Sequence, residues 1–205
     1  MTSANARHRC GLSDGVECGG YNPSGETGRV QLSTGPYTWD IWSVGFRQVE
    51  RLAVSRGVSY AIRFDGSLWC WGNCPSERSW TGGSARATPR PVFGLWNIAE
   101  VVVLTGESSY ATCARTRDGH VRCWGRCSDV GGRCRNPATN LQEDGLWDFD
   151  EPRDVVEIVA GASHFCALTL RDEVWCWGRN RGGESRPGAP ESLAGYLPAR
   201  VTIPN

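Results

Sequence analysis

Apolar and polar positions alternate along this chain in short runs, and the runs return in the same order about every fifty residues. Each unit opens on a β-branched stretch, Val49–Val54, Val101–Leu104 or Val155–Ala160. A Gly/Ser-containing turn such as Gly161-Ala162-Ser163-His164 follows, and then a short strand over Tyr60–Ile62, Cys113–Arg115 or Cys166–Leu168. A tight turn carries Asp65-Gly66, Asp118-Gly119 or Asp172-Glu173, and the returning strand ends in Cys-Trp-Gly. A long loop rich in Gly, Pro, Ser and Arg leads to a last short strand near Pro91–Phe93 or Arg200–Val201. Short strands joined by Asp-Gly hairpins at regular spacing predict an all-β chain.

The Cys-Trp-Gly triplet stands at Cys70-Trp71-Gly72, Cys123-Trp124-Gly125 and Cys176-Trp177-Gly178, with a degenerate copy at Cys18-Gly19-Gly20. A unit of this length leaves an apolar face that only a neighbour can bury, so the period predicts a propeller-type array of about four repeats. Their bounds fall at 1–45, 46–97, 98–151 and 152–205, within one domain. The first copy begins at its second half, so its first strand is expected to be missing.

Register tests the hairpins. Across a three-residue loop, facing residues lie equally far from the central loop position. Cys113 and Cys123 are both five residues from Asp118, and Gly119 then takes the left-handed last position of the loop. Tyr60 and Cys70 centre likewise on Asp65, and Cys166 and Cys176 on Arg171, with Asp172 in the glycine's place. In the first copy each arm is one residue shorter, yet Cys10 and Cys18 still centre on Asp14. Facing residues of antiparallel strands lie within disulfide reach, which predicts Cys10–Cys18, Cys113–Cys123 and Cys166–Cys176. Tyr60 leaves Cys70 without its cross-strand partner. The simplest completion pairs Cys70 with Cys74 and Cys127 with Cys134, although Cys70 and Cys74 could instead stay reduced or pair elsewhere.

The run from Gly161 to Gly183 reads Gly-x-x-His-x-Cys-Ala-Leu, an Asp-containing turn, then Val-x-Cys-Trp-Gly-x-Asn-x-x-Gly. It resembles a repeat of the regulator-of-chromosome-condensation family, in the cysteine-containing form frequent in bacterial proteins. The resemblance implies a β-propeller of four-stranded blades, usually seven. Four copies then make an open arc or partial propeller, whose exposed ends would favour association between chains. The histidine of the pattern is kept at His8 and His164, while Val58 stands there in the second copy.

Net charge is zero, with 22 basic and 22 acidic residues, which argues against a partner held mainly by charge, such as DNA or an anionic membrane. All the basic residues are arginine, as a GC-rich genome would produce. No apolar run reaches transmembrane length, and residues 1–10 lack the apolar stretch of a signal peptide. Ten cysteines point instead to an oxidising compartment, extracellular or periplasmic, reached through a leader outside this sequence.

Repetition assigns Trp71, Trp124 and Trp177, with Gly72, Gly125 and Gly178, to the packing of neighbouring repeats. Trp39, Trp42, Trp80, Trp96 and Trp147 break the period and lie in variable segments, where repeat proteins carry recognition. Trp80 with Arg78 and Arg86, together with Trp96 and Trp147, form the candidate binding set. His8 and His164 are expected to brace turns through hydrogen bonds rather than catalyse. The spacings Cys70-x-x-x-Cys74 and Cys123-x-x-x-Cys127 differ from the closer pairs of structural zinc sites. The acidic segment Gln142-Glu143-Asp144-Gly145, with Asp148 and Asp150, lacks the alternation of a calcium loop. No catalytic residue, metal or cofactor is therefore expected. The leading expectation is a non-catalytic, disulfide-stapled module whose loops bind a protein or an extracellular polymer. Nucleotide exchange or chromatin binding, as the family resemblance implies, and an enzyme site on one face of the propeller are the alternatives.

Overall fold

In the computed structural model, residues 2–4, 7–30, 37–55, 57–75, 86–104, 111–125, 145–180, 182–183, 185 and 198–202 are described, with the backbone alone at 2–4, 37–40, 145 and 147. Among the described residues the alternating runs become sixteen strands, and no helix occurs. They form four antiparallel sheets of four strands, each a meander in chain order. The first sheet holds β1 (Thr2–Ala4), β2 (His8–Leu12), β3 (Val16–Tyr21) and β4 (Tyr37–Ser43). The second holds β5 (Val49–Ser55), β6 (Val58–Arg63), β7 (Leu68–Gly72) and β8 (Arg86–Pro91). The third holds β9 (Ile98–Val103), β10 (Thr112–Thr116), β11 (Val121–Gly125) and β12 (Gly145–Asp148). The fourth holds β13 (Val155–Ala160), β14 (His164–Thr169), β15 (Val174–Gly178) and β16 (Ala199–Val201).

Two expectations need correction. The first repeat is not short of a strand, because Thr2–Ala4 pairs with Arg9–Gly11 and supplies it. In the second repeat the outer strand is Arg86–Pro91, ahead of the predicted Pro91–Phe93. Two prolines in that strand hid it, since proline lacks the N–H of a ladder and is confined to sheet edges.

The hairpin registers hold. Cys10 faces Cys18, Tyr60 faces Cys70, Cys113 faces Cys123 and Cys166 faces Cys176. The three facing cysteine pairs are disulfide-bonded across Cα separations of 4.2, 4.0 and 4.1 Å. Cys70 bonds Cys74 at 5.8 Å. Cys127 and Cys134 lie outside the described residues. Gly66, Gly119 and Asp172 take the left-handed loop position at φ 80°, 84° and 59°. The shortened first hairpin closes differently: Ser13 N donates to the Gly15 carbonyl, and Gly15 is nearly extended at φ 157°.

A second set of left-handed residues repeats with the period. Gln48, Asn97 and Asp154, at φ 61°, 58° and 55°, each precede the first strand of a sheet. The Gln48 and Asp154 carbonyls accept from Phe64 N and Leu170 N, in the hairpin loops of their own repeats. The next amide donates to the preceding hairpin: Ile98 N to Gly66 O at 2.9 Å, Val155 N to Gly119 O at 3.1 Å. The turn glycine thus serves twice, as a left-handed corner and as the acceptor that hooks the following strand. A Cβ on Gly119 would stand 2.9 Å from both Asp154 Cα and Val155 N.

The chain divides into two compact units, Met1–Val101 and Val102–Asn205. In the first, Val16, Leu52, Ala61, Trp71 and the Cys10–Cys18 bridge form the core, with Phe46 against it. In the second, Leu104, Ile158, Phe165, Ala167, Trp177 and the Cys113–Cys123 bridge do the same, with Phe149 against it. The motif tryptophans are sealed in. Phe46, which precedes the second repeat's first strand, lies 6.4 Å from Trp71, and Phe149 lies 5.6 Å from Trp177. The glycines after Trp71 and Trp177 are required by space: a Cβ on Gly72 would collide with the Gly57 carbonyl, and one on Gly178 would lie 2.8 Å from Ser163 O.

Candidate functional site

Of the predicted binding residues, the structure describes Arg86, Trp96 and the backbone of Trp147. Arg78 and Trp80 lie outside the described residues. Trp147 faces Cys123 in backbone register on β12. Arg86 is exposed at the start of β8. Trp96 follows β8 and is 66% exposed. Trp42, on β4, carries the Arg29 guanidinium 3.7 Å above its ring, a close cation–π stack.

The tertiary structure gives Trp96 different companions. Val92 N donates to Leu68 O at 2.8 Å and Ile98 N to Gly66 O, so residues 92–98 run beside the β6–β7 hairpin. Val92 and Leu95 turn inward, leaving Phe93 61% exposed beside the solvent-facing Trp96. On the adjoining hairpin, Phe64 is 65% exposed at the first loop position. Its neighbour Asp65 accepts from the Ser67 hydroxyl and amide at 2.6 and 2.9 Å. Those bonds fix the turn and hold the Asp65 carboxyl below its usual range.

Beside the hairpin lies a half-buried platform. The Phe46 and Trp69 ring centroids are 5.0 Å apart, and Arg63 places its guanidinium 5.6 Å from one and 5.7 Å from the other. Arg63 Nη2 donates to Gln48 Oε1, and Trp69 Nε1 donates to Ser67 Oγ at 2.9 Å. One end of the second sheet thus presents three exposed aromatic rings next to a stacked guanidinium. Exposed aromatic rings cost solvation free energy, and several at one end of a sheet are a usual mark of an interface. Only Trp96 was legible as a binding residue, because Phe64 and Phe93 carry no motif.

A second polar constellation joins the first two repeats. Ser59 Oγ donates to the Glu26 carbonyl at 2.7 Å and lies 2.8 Å from His8 Nε2. The single hydroxyl proton is committed to Glu26, so His8 donates through Nε2–H and is neutral. Burial lowers its pKa to about 4. The bond from His8 to Ser59 reaches another repeat. A serine beside a histidine suggests a nucleophile and base. Here Ser59 is 0% and His8 2% exposed, so no substrate reaches them, and the pair is structural. Glu26, buried beside them, accepts from Ser24 N at 2.8 Å through Oε2, and burial raises its pKa.

The loop bearing Glu26 recurs in the fourth repeat. Thr27 N donates to Asn22 Oδ1 at 2.9 Å, and Ser185 N donates to Asn180 Oδ1 at 3.0 Å. This is the asparagine of the Trp-Gly-x-Asn pattern, and its amide closes the loop. Among the described residues, no group of three or more His, Cys, Asp or Glu converges as a metal site.

The Regulator of chromosome condensation (RCC1) repeat family model matches residues 155–184, the fourth hairpin and its Asn loop. The human E3 ubiquitin-protein ligase HERC2 is 29% identical over 162 residues, spanning 76% of this chain and 3% of its own length. The mouse RCC1-like G exchanging factor-like protein is 31% identical over 166 residues, 76% of this chain and 34% of its own. The crystal structure of Prp20p from Saccharomyces cerevisiae superposes with a TM-score of 0.78 at 17% identity, covering 99% of this chain and 50% of that one. The chain thus spans a third or less of these two curated relatives. With its hairpins, its Cys-Trp-Gly strands and its Asn loops, the chain belongs to the RCC1 repeat family of β-propeller proteins.

Proposed function

We propose that this chain is a non-catalytic binding module whose protein partner docks on Phe64, Phe93 and Trp96. The observation that carries the reading is the exposure of these three rings, between 61% and 66%, at one end of one sheet. Phe64 sits in a tight hairpin loop and residues 92–98 bond back to that hairpin, so little backbone freedom is lost on docking. Prp20p, which shares the fold, was studied for binding Gsp1p and histones, and a protein partner is the reading its likeness supports. The test is affinity capture from the native source by wild type and by F93A/W96A, followed by titration of the recovered protein. Loss of one to two orders of magnitude in affinity, with an unchanged melting temperature, is expected. Equal retention by the two proteins would count against this surface. Retention on polysaccharide gels that F93A/W96A abolishes would assign the surface to a polymer instead.

We also propose that the chain works in an oxidising, extracellular or periplasmic setting. Four cysteine pairs in bonding position support this, since such bonds persist where thiols are not kept reduced. Protein isolated from its source and denatured under thiol-free conditions should show two or fewer reactive thiols. Eight or more would sink the idea.

A second reading has one observation in its favour, the 31% identity to the RCC1-like G exchanging factor-like protein. It requires that the chain accelerate nucleotide release from a small GTPase, which a fluorescent-nucleotide release assay decides.

A further inference from the structure

The outer strand of the second sheet is bulged. Cys70 faces Arg90 and Gly72 faces Arg86, so four residue steps on β8 oppose two on β7. Residues two apart on a strand share a face, and facing residues share it too, so Arg86 and Arg90 project from the same side of the sheet. Their β7 partners are only about 7 Å apart, whereas four regular strand steps would separate the two arginines by about 13 Å. The bulge sets the two arginines opposite a shorter span of β7 than an unbroken strand would.

Arg47, Arg122, Arg153, Arg171 and Arg200 each stand within 4 Å of a carboxylate. Among the described residues, no carboxylate stands within that distance of Arg86 or Arg90. Arg90 is also partly buried, and its Nε–H is shut from solvent with no acceptor. Burial and the charge of Arg86 both push its guanidinium below the usual value. Two like charges on one face of the strand, with no carboxylate beside them among the described residues, form an arrangement that an anion relieves. The strand offers little else to a ligand. Pro89 and Pro91 have no N–H, which blocks this stretch as an edge for another β-strand.

We propose that Arg86 and Arg90 form an oxyanion site that takes a phosphate group. One carboxylate is satisfied by a single bidentate arginine, whereas a tetrahedral dianion accepts from two guanidinium groups at once and matches both charges. The site is independent of the aromatic surface and of any reading built on it.

The probe is inorganic phosphate, titrated into 15N-labelled protein at constant ionic strength while the Arg90 Nε–H resonance is followed. A saturable shift with one phosphate per chain is expected. R86Q and R90Q should each weaken it about tenfold or more, the loss of one charge-assisted contact. R47Q, whose arginine already pairs with Asp14, should leave it unchanged. Backbone amide spectra of each variant show whether it is folded. O-phosphoserine in a parallel titration separates the sources: tighter binding than inorganic phosphate assigns the site to a phosphorylated ligand, and weaker binding assigns it to the free ion. A shift that chloride reproduces, or one that survives in folded R86Q and R90Q, overturns the proposal.

Discussion

Ser59 of the second repeat accepts a hydrogen bond from His8 of the first, with 2.8 Å between its Oγ and the imidazole Nε2. The same hydroxyl donates to Glu26 O, so one side chain ties two strands and a loop together. Replacing it by alanine leaves a buried N–H and a buried carbonyl without partners. Ser59→Ala is expected to destabilise the protein by about 1–3 kcal/mol, read from denaturant unfolding. A change below half a kcal/mol would show that the bridge is not made in solution.

Burial of the same histidine makes stability depend on pH. The His8 pKa falls from 6.5 to about 4 on folding, so the unfolded chain binds more protons between those values. The contribution of His8 is complete above pH 6.5 and is lost as pH falls toward 4, up to about 3 kcal/mol. Glu26 acts in the opposite sense. Burial raises its pKa, so its contribution is present at low pH and lost as pH rises through the folded value. The two are separated by comparing wild type with His8→Gln. The variant should lose less stability between pH 6.5 and 4, and parallel curves would refute the assignment.

Trp71 and Trp96 should differ sharply. Trp71 is fully buried against Phe46, and Trp71→Ala is expected to cost about 3–5 kcal/mol. Trp96→Ala should change stability by less than about 0.5 kcal/mol and act on partner binding alone. Thermal melts of both variants check the contrast.

The left-handed hooks are testable at Asp154 and Gly119. Asp154 sits at φ 55°, where glycine rests without strain and a β-branched residue does not. Asp154→Gly should be close to neutral and Asp154→Val destabilising by about 1–2 kcal/mol. Gly119→Ala combines φ 84° with a clash at the Asp154 and Val155 backbone, so it should cost more than Asp154→Val. Urea unfolding of the three variants gives the order.

By itself the sequence determined everything that depends on spacing within one hairpin. The cross-strand pairing of Cys10 with Cys18, of Cys113 with Cys123 and of Cys166 with Cys176 follows from loop length, because alternation leaves a strand pair no freedom once its turn is set. It even anticipated Asp172 in a glycine's position. The hook residues Gln48, Asn97 and Asp154 were readable in principle, each a polar residue just before a β-branched strand, but nothing local separates them from ordinary loop residues. Tertiary structure decided what joins distant segments. His8 meets Ser59 across 51 residues. Residues 92–98, with Phe93 and Trp96, bond back to the β6–β7 hairpin that carries Phe64, and a bulge sets Arg86 and Arg90 opposite Gly72 and Cys70. The period names positions within a repeat, and the bulge recurs in the first sheet, but the side chains at these places differ from repeat to repeat. The scaffold was therefore legible in the chain, and the surfaces that distinguish this protein had to be read from the fold.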